Sequence, residues 1–174
     1  MKKKTTSLKD FIEKLHNFIV KHPQFRKDTS LKSEGQIQTE IRPLIIQYLE
    51  NYFKERGYKD YTAKANQSFY WEGQEGRFGR EHASTFGSRN YPDFIITEPY
   101  LIAIEYKKNT SGSLVKHGIG QSIIHTMCGD FDFVYFLFHD ENNDERIKEA
   151  SENELEKEIL GKLWQKFNVY IKFV

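Results

Sequence analysis

One stretch decides the fold: residues 90–108 read NYPDFIITEPYLIAIEYKK. Two apolar runs rich in β-forming residues, 94–96 and 101–104, flank a turn at residues 97–100 in which proline presets φ. This pattern predicts a β-hairpin. Antiparallel pairing across the turn places Asp93 opposite Ile104 and Glu105.

The hairpin also sets which side chains share a face. Side chains two residues apart on a strand point the same way, so Glu105 and Lys107 share one face, while Tyr106 and Lys108 point to the other. Asp93, Glu105 and Lys107 therefore meet at one end of the hairpin. Two carboxylates and an ammonium are what metal-dependent phosphodiester cleavage requires. A sheet face with a structural cross-strand ion pair uses the same residue types and is the alternative.

The rest of the chain shows alternating helix and strand patterns. Seven further elements are predicted. Two helices come first, over 8–21 with Ser7 as cap and over 33–56 with a capping box of Ser33 and Gln36 and a break or bend at Pro43, and a strand over 58–71 follows them. After the hairpin come a helix over 114–128 capped by Ser113, a strand over 130–140, a helix over 144–164 and a strand over 167–174. With the hairpin, the order is helix, helix, three strands, helix, strand, helix, strand.

The motif Pro92-Asp93, eleven residues, then Glu105-Tyr106-Lys107 resembles that of the PD-(D/E)xK phosphodiesterase superfamily. The resemblance covers roughly residues 33–140 and includes the element order. It implies an α/β, single-domain restriction-endonuclease-like fold with a central mixed β-sheet flanked by helices. The αβββαβ core would gain an extra N-terminal helix and a C-terminal helix and strand. We therefore expect one nuclease domain over residues 1–174.

The resemblance also implies a metal site. Asp93 and Glu105 would ligate Mg²⁺ together with the backbone carbonyl of Tyr106, and Mn²⁺ is expected to substitute. Lys107 would orient the attacking water, or help to deprotonate it, and offset charge on the phosphate. Lys108 is expected to contact solvent or a phosphate instead.

Two helices are expected to support this site. Glu40 resembles the helix glutamate that supports a metal in many members, although a helix N-terminus attracts glutamate through its dipole, and Glu34 is a rival. Gln121 matches a glutamine that contacts the site or the substrate backbone in several branches. His117 and His125 lie on the same helical stripe as Gln121, which faces either the site or solvent. Phosphate contacts or plain surface are favoured over zinc for these histidines, because a third zinc ligand is missing from the stripe.

DNA contacts are predicted in two places. The long segment 72–90 contains four glycines, which permit close backbone approach, and the candidate contacts Arg77, Arg80 and Arg89. An ordinary surface loop is the alternative. A second set of candidate contacts consists of Lys108, Lys116 and His117.

Composition excludes several classes of protein. The formal net charge of +1 argues against a purely electrostatic nucleic-acid binder, although a local basic strip remains compatible with it. The single cysteine, Cys128, cannot form an internal disulfide, and no signal peptide or membrane-spanning run is apparent. We therefore expect a cytoplasmic protein without membrane association. The glycine motifs of nucleotide hydrolases, dinucleotide-binding proteins and serine hydrolases do not occur.

The hairpin predicts a metal-dependent nuclease, and the resemblance implies a Mg²⁺-dependent endonuclease that cleaves DNA to give 5′-phosphate and 3′-hydroxyl ends, of a restriction, resolvase, phage or mobile-element type. A homodimer is expected, since a small chain that cuts both strands often acts as a symmetric dimer. The alternative is a catalytically inactive nucleic-acid-binding or assembly module of the same fold.

Overall fold

The computed structural model of the chain describes residues 7–25, 32–72, 74, 83–85, 88–128, 131–142 and 144–174. Within these ranges, six helices and seven strands form an α/β protein with a five-stranded mixed sheet. The chain divides into two compact units, Met1–Phe69 and Tyr70–Val174. Across the described ranges, no helix has both the length and the apolar character needed to span a membrane.

The first unit is helical, with α1 over Leu8–Lys21, α2 over Glu34–Glu55 and α3 over Tyr61–Gln67. The predicted caps are confirmed. Ser7 accepts a hydrogen bond from the backbone N–H of Asp10, and Ser33 and Gln36 form a complete capping box. Gly57 follows the end of α2 at φ +76°, a conformation that glycine adopts with little strain.

Helices α1 and α2 are in contact, and both carry buried aliphatic and aromatic side chains, among them Phe11, Ile12, Leu15, Ile37, Ile45, Leu49 and Phe53. Tyr48 joins this core with its ring edge-on to Phe11, at 5.3 Å between ring centroids. Its hydroxyl donates to the Phe11 carbonyl at 3.0 Å, so the buried phenol is satisfied. Burial raises the pKa of Tyr48.

Two predictions for this unit differ from the structure. The described helix α2 runs through Pro43 without the predicted break, because Ile41, Leu44 and Ile45 on both sides are buried and their packing outweighs the missing backbone hydrogen bond. A bend at Pro43, the other form of this prediction, stays a prediction. Half of the strand predicted over 58–71 is instead helix α3. The side chain of Asp60 caps α3 by accepting from the backbone N–H of Ala63, and only the end of the segment is extended.

The second unit is built on the five-stranded sheet, in the order β1-β4-β5-β6-β7. Its strands are β1 Phe69–Trp71, which starts on the last residue of the first unit, β4 Phe94–Ile96, β5 Ile102–Asn109, β6 Phe133–Asp140 and β7 Val169–Phe173. Strands β4 and β5 are antiparallel, whereas β5, β6 and β7 are parallel. Strands β2, Ala83–Thr85, and β3, Ser88–Asn90, form a separate antiparallel pair within the segment predicted to be a loop.

Three helices accompany this sheet, α4 over Gly112–Cys128, α5 over Arg146–Ser151 and α6 over Glu154–Phe167. The predicted cap Ser113 lies inside α4, and its backbone N–H bonds to Ser111 Oγ instead, so the helix starts earlier than expected. The helix predicted over 144–164 is divided in two, because the side chain of Asn153 caps a new helix by accepting from the Glu156 N–H.

Helix α5 begins on a carboxylate at the end of β6. Asp140 Oδ2 accepts the backbone N–H groups of Ile147 and Lys148 at 2.8 and 3.1 Å, and Oδ1 accepts that of Asn142 at 3.0 Å. Burial raises the pKa of Asp140, but the hydrogen bonds from Asn142, Lys148 and Ile147 outweigh it and hold that pKa below its usual value. Asp140 is therefore a charged helix cap.

Helix α4 lies unusually close to the sheet at Gly118. A Cβ built at this position would lie 2.3 Å from Cζ of Phe136, whose side chain is fully buried on β6. Phe136 is also the register partner of Glu105 on β5, and paired residues of adjacent strands share a face. The close approach therefore places α4 over the face of β5 that carries Glu105.

Candidate active site

The predicted hairpin is confirmed, and it determines the positions of the two acids. Phe94 pairs with Ile104, which puts Asp93, just before β4, across from Glu105. The backbone N–H of Tyr106 donates to Asp93 Oδ2 at 2.7 Å, so the backbone itself orients this carboxylate. Asp93 is only 8% exposed and Glu105 only 2%. Both acids thus lie in a largely desolvated position.

Lys107 lies between the two carboxylates. Its Nζ is 4.0 Å from Asp93 Oδ2 and 3.9 Å from Glu105 Oε2, and 20% of its side chain is exposed. The three residues that the sequence placed on one face therefore do converge. Lys107 is therefore the most accessible side chain of the three.

His125 on α4 is a fourth member of this cluster and contacts Glu105. Its Nε2 lies 2.7 Å from Glu105 Oε1, and the side chain is fully buried. Phe131 packs edge-on to the imidazole, at 6.1 Å between centroids. The expectation that His125 is a phosphate contact or plain surface is wrong, because α4 directs this end of its stripe into the sheet. Its position four residues after Gln121 was the only sequence signal for this role.

The two preceding turns of the same stripe are more accessible. Gln121 carries a buried Oε1 without a hydrogen bond among the described residues, an orphaned acceptor one turn from His125. The predicted role of Gln121 at the site remains a prediction. His117 and Lys116, further towards the start of α4, are exposed, as a contact to DNA phosphates would require.

The donor set fits a hard divalent cation. Within the part of the chain that the structure describes, no three or more His, Cys, Asp and Glu side chains are grouped to hold a metal ion. Magnesium, however, is commonly bound by one or two carboxylates and several waters. Asp93 and Glu105, with the carbonyl of Tyr106, are oxygen donors of that kind.

The opposite face of β5 holds a separate polar group. Lys108 is buried and paired with Glu141, and the Tyr106 hydroxyl lies 3.3 Å from Nδ1 of His139. Burial, followed by the charge of Lys108, lowers the pKa of His139. Lys108 was expected to contact solvent or a phosphate, but the structure gives it an internal carboxylate partner instead.

Glu40 lies on α2 in the first unit, apart in sequence from the cluster on the hairpin. Both of its carboxylate oxygens lie 2.8 Å from Nζ of Lys32, a partner that the sequence analysis did not identify. The pair borders a cavity of about 460 Å³ lined by Lys32, Ser33, Gly35, Gln36, Thr39 and Glu40. A metal-supporting role for Glu40 stays a prediction, and so does the rival role of Glu34 in the first turn of α2.

The predicted DNA-contacting arginines are largely outside the described residues. Arg77 and Arg80 lie in undescribed ranges, and for Arg89 only the backbone is described, paired with Ser84 between β2 and β3. Their contacts with DNA remain predictions.

Comparison of the chain with protein-family models, with curated proteins and with solved structures finds no match. The chemistry of the cluster must therefore be inferred from its own side chains. These are two buried carboxylates, a partly exposed lysine and a buried imidazole. Each of the four groups lies within 4.0 Å of at least one of the others.

Proposed function

We propose that the chain is a Mg²⁺-dependent endonuclease that cleaves DNA and leaves 5′-phosphate and 3′-hydroxyl ends. The observation that carries this proposal is the position of the Lys107 ammonium, 4.0 Å from Asp93 and 3.9 Å from Glu105 at one end of a hairpin. A cation-binding pair of acids beside a lysine combines metal binding with charge neutralisation at a phosphate.

The topology supports the accompanying proposal of a restriction-endonuclease-like fold. The antiparallel pair β4 and β5 is followed by α4 and by β6, which is parallel to β5. Helix α2 precedes these strands, as the αβββαβ core requires. Asp93 immediately precedes β4 and Glu105 lies on β5. Helix α4, which follows β5, contributes His125 beside Glu105.

The reaction requires a water oxygen to attack phosphorus in line with the bond that breaks. A bond forms between that oxygen and phosphorus, the bond from phosphorus to the 3′ oxygen breaks, and a proton ends on the 3′ oxygen. Lys107 would orient the water and offset phosphate charge, since its side chain is more exposed to solvent than those of Asp93 and Glu105.

Asp93, Glu105 and the Tyr106 carbonyl would hold the cation. When bound, Mg²⁺ would supply Lewis-acid neutralisation of charge at the phosphate. The hydrogen bond from the Tyr106 N–H fixes the Asp93 carboxylate before any cation arrives, which reduces the cost of organising the site. DNA would approach over the exposed Lys116 and His117 of α4 and the arginines of segment 72–90.

Plasmid cleavage tests this proposal. Wild type is compared with Asp93→Asn and Lys107→Met, in Mg²⁺ and in chelator, and Glu98→Gln serves as the matched control because Glu98 is an exposed acid in the turn of the same hairpin. We expect cleavage to fall at least about 100-fold in both site variants and to be unchanged in the control. The products should be joined by DNA ligase without prior phosphorylation.

Equal cleavage by wild type and Asp93→Asn would refute the assignment. Metal-independent DNA binding without any cleavage would instead support the alternative, an inactive binding module of the same fold.

A further inference from the structure

His125 is a buried titratable group in contact with the candidate site that the proposed reaction does not use. It is fully buried, and Nε2 lies 2.7 Å from Oε1 of Glu105, which is itself 2% exposed. A buried ionised carboxylate is costly unless it accepts hydrogen bonds, and this contact supplies one. No hydrogen bond to the other oxygen, Oε2, is found among the described residues, and this oxygen faces Lys107 at 3.9 Å.

The imidazole is held firmly in this orientation. Helix α4 is fixed against β6 by the close approach of Gly118 to Phe136, and Phe131 packs edge-on to the ring. Ser122, fully buried on the same helix, donates to the Gly118 carbonyl at 2.8 Å and so satisfies its own hydroxyl there. These contacts favour the orientation in which the ring points at Glu105.

We infer that His125 is a positioning residue for the metal site. By donating from Nε2 to Oε1, it fixes the rotation of the Glu105 carboxylate and presents Oε2 to the cation and to Lys107. This inference rests on the proposed function, since it assigns Glu105 as a metal ligand. It goes further in two ways: it selects one oxygen of that ligand, and it assigns a role to a histidine on α4 that does not itself touch the cation. Partners that orient metal ligands in this way typically contribute 10- to 100-fold to metal affinity.

Two amide substitutions separate positioning from general polarity. The side-chain N–H of glutamine in His125→Gln can reach the position of the imidazole Nε2, whereas His125→Asn is one methylene shorter and cannot. The measurement is Mn²⁺ binding to the full chain, by calorimetry and by electron paramagnetic resonance, at a temperature below the apo melting point of each variant. Asp93→Asn is the control that should lose the metal site, and Glu98→Gln is the control that should retain it.

We expect His125→Gln to bind Mn²⁺ within a few-fold of wild type, and His125→Asn to bind it about 10- to 100-fold more weakly. DNA cleavage by His125→Asn should recover towards the wild-type rate at saturating Mn²⁺, because the group that acts on the phosphate is intact. A merely structural role would lower the melting temperature of both variants and would not produce this separation of metal affinity from maximal rate.

Equal Mn²⁺ affinity in the two amide variants would overturn the inference while leaving the nuclease proposal intact, provided that Asp93→Asn loses the metal. Directly coordinated imidazole nitrogen in the resonance spectrum of wild type would also overturn it, because His125 would then be a ligand. If wild type binds no Mn²⁺, or if Asp93→Asn binds it equally well, the proposed metal site fails and the role of His125 fails with it. If His125→Asn does not fold, His125→Phe replaces it, because phenylalanine keeps a ring but lacks the donor. Wild-type Mn²⁺ affinity in folded His125→Phe would refute the inference, and a loss of affinity would support it.

Discussion

Replacing Gly118 with alanine tests how closely α4 approaches the sheet. The added Cβ would lie 2.3 Å from Cζ of Phe136 and within 2.9 Å of two further ring atoms. Ordinary carbon contacts are about 3.5–4.0 Å, so the ring or the helix must shift by more than about 1 Å. Phe136 is fully buried and packs edge-on to Phe138, which leaves the ring no space to give way.

The expected magnitude is a balance of two effects. Overpacking of a buried site costs about 1–3 kcal/mol, and the better helix propensity of alanine returns about 1 kcal/mol. We therefore expect Gly118→Ala to lower the free energy of unfolding by up to about 2 kcal/mol, which corresponds to a melting temperature lower by up to about 8 °C in a chain of this size. Urea denaturation followed by circular dichroism measures the change.

Gly120 is the matched control, because a Cβ there meets nothing within 4 Å. Gly120→Ala should stabilise the protein by about 0.5–1 kcal/mol through helix propensity alone. Adding Phe136→Leu to Gly118→Ala should recover part of the loss, since the smaller side chain makes room for the new methyl group. If both alanine variants are equally stabilised, α4 does not lie as close to β6 as described, and the orientation of its histidine stripe would have to be derived again.

Three further predictions address the caps and the segment predicted to contact DNA, residues 72–90. Asp140→Asn should lower the free energy of unfolding by about 1–2 kcal/mol at pH 7. Because the pKa of Asp140 is lowered in the folded state, the stabilisation by its charged form is present above about pH 4 and is lost as the pH falls through the folded-state pKa. The difference in unfolding free energy between wild type and Asp140→Asn should therefore shrink in acid. A difference that is constant with pH would contradict this. Ser33→Ala removes the capping box of α2 and should cost about 1 kcal/mol in urea denaturation, and no loss would mean that the helix end is satisfied by other groups. Alanine at Arg77, Arg80 and Arg89 together should weaken DNA binding and make the salt dependence shallower, by about 0.9 in slope for each phosphate that an arginine no longer neutralises, with metal binding and folding retained; unchanged affinity and slope would place the DNA path elsewhere.

Local signals account for the parts of the fold that could be predicted. The hairpin register follows from apolar runs and a proline turn within nineteen residues, residues 90–108, and the ends of α1 and the start of α2 follow from caps within three residues of the helix ends. Helix α3 was missed because the β-forming aromatic residues of its segment outweighed the short capping signal of Asp60. The division between α5 and α6 was missed because the apolar periodicity of 144–164 outweighed the short capping signal of Asn153.

The position of His125 depends on contacts between distant segments. The spacing of His117, Gln121 and His125 shows that they lie on one side of a helix. Which end of this stripe enters the core depends on how the helix tilts onto the sheet. That tilt follows from Gly118 against Phe136, residues that are eighteen positions apart and that no local pattern connects. The candidate site could therefore be predicted on the hairpin, where its residues are close in sequence, and not on α4.

The two lysines of β5 lie beside different numbers of carboxylates. A central strand is buried on both faces, so each lysine on it needs an internal partner. Lys108 on one face makes a close pair with a single acid, Glu141. Lys107 on the other face lies beside two acids, with its Nζ 4.0 Å from Asp93 and 3.9 Å from Glu105. One ammonium offsets the charge of only one of two ionised carboxylates, which agrees with the proposal that a divalent cation binds on this face and not beside Lys108.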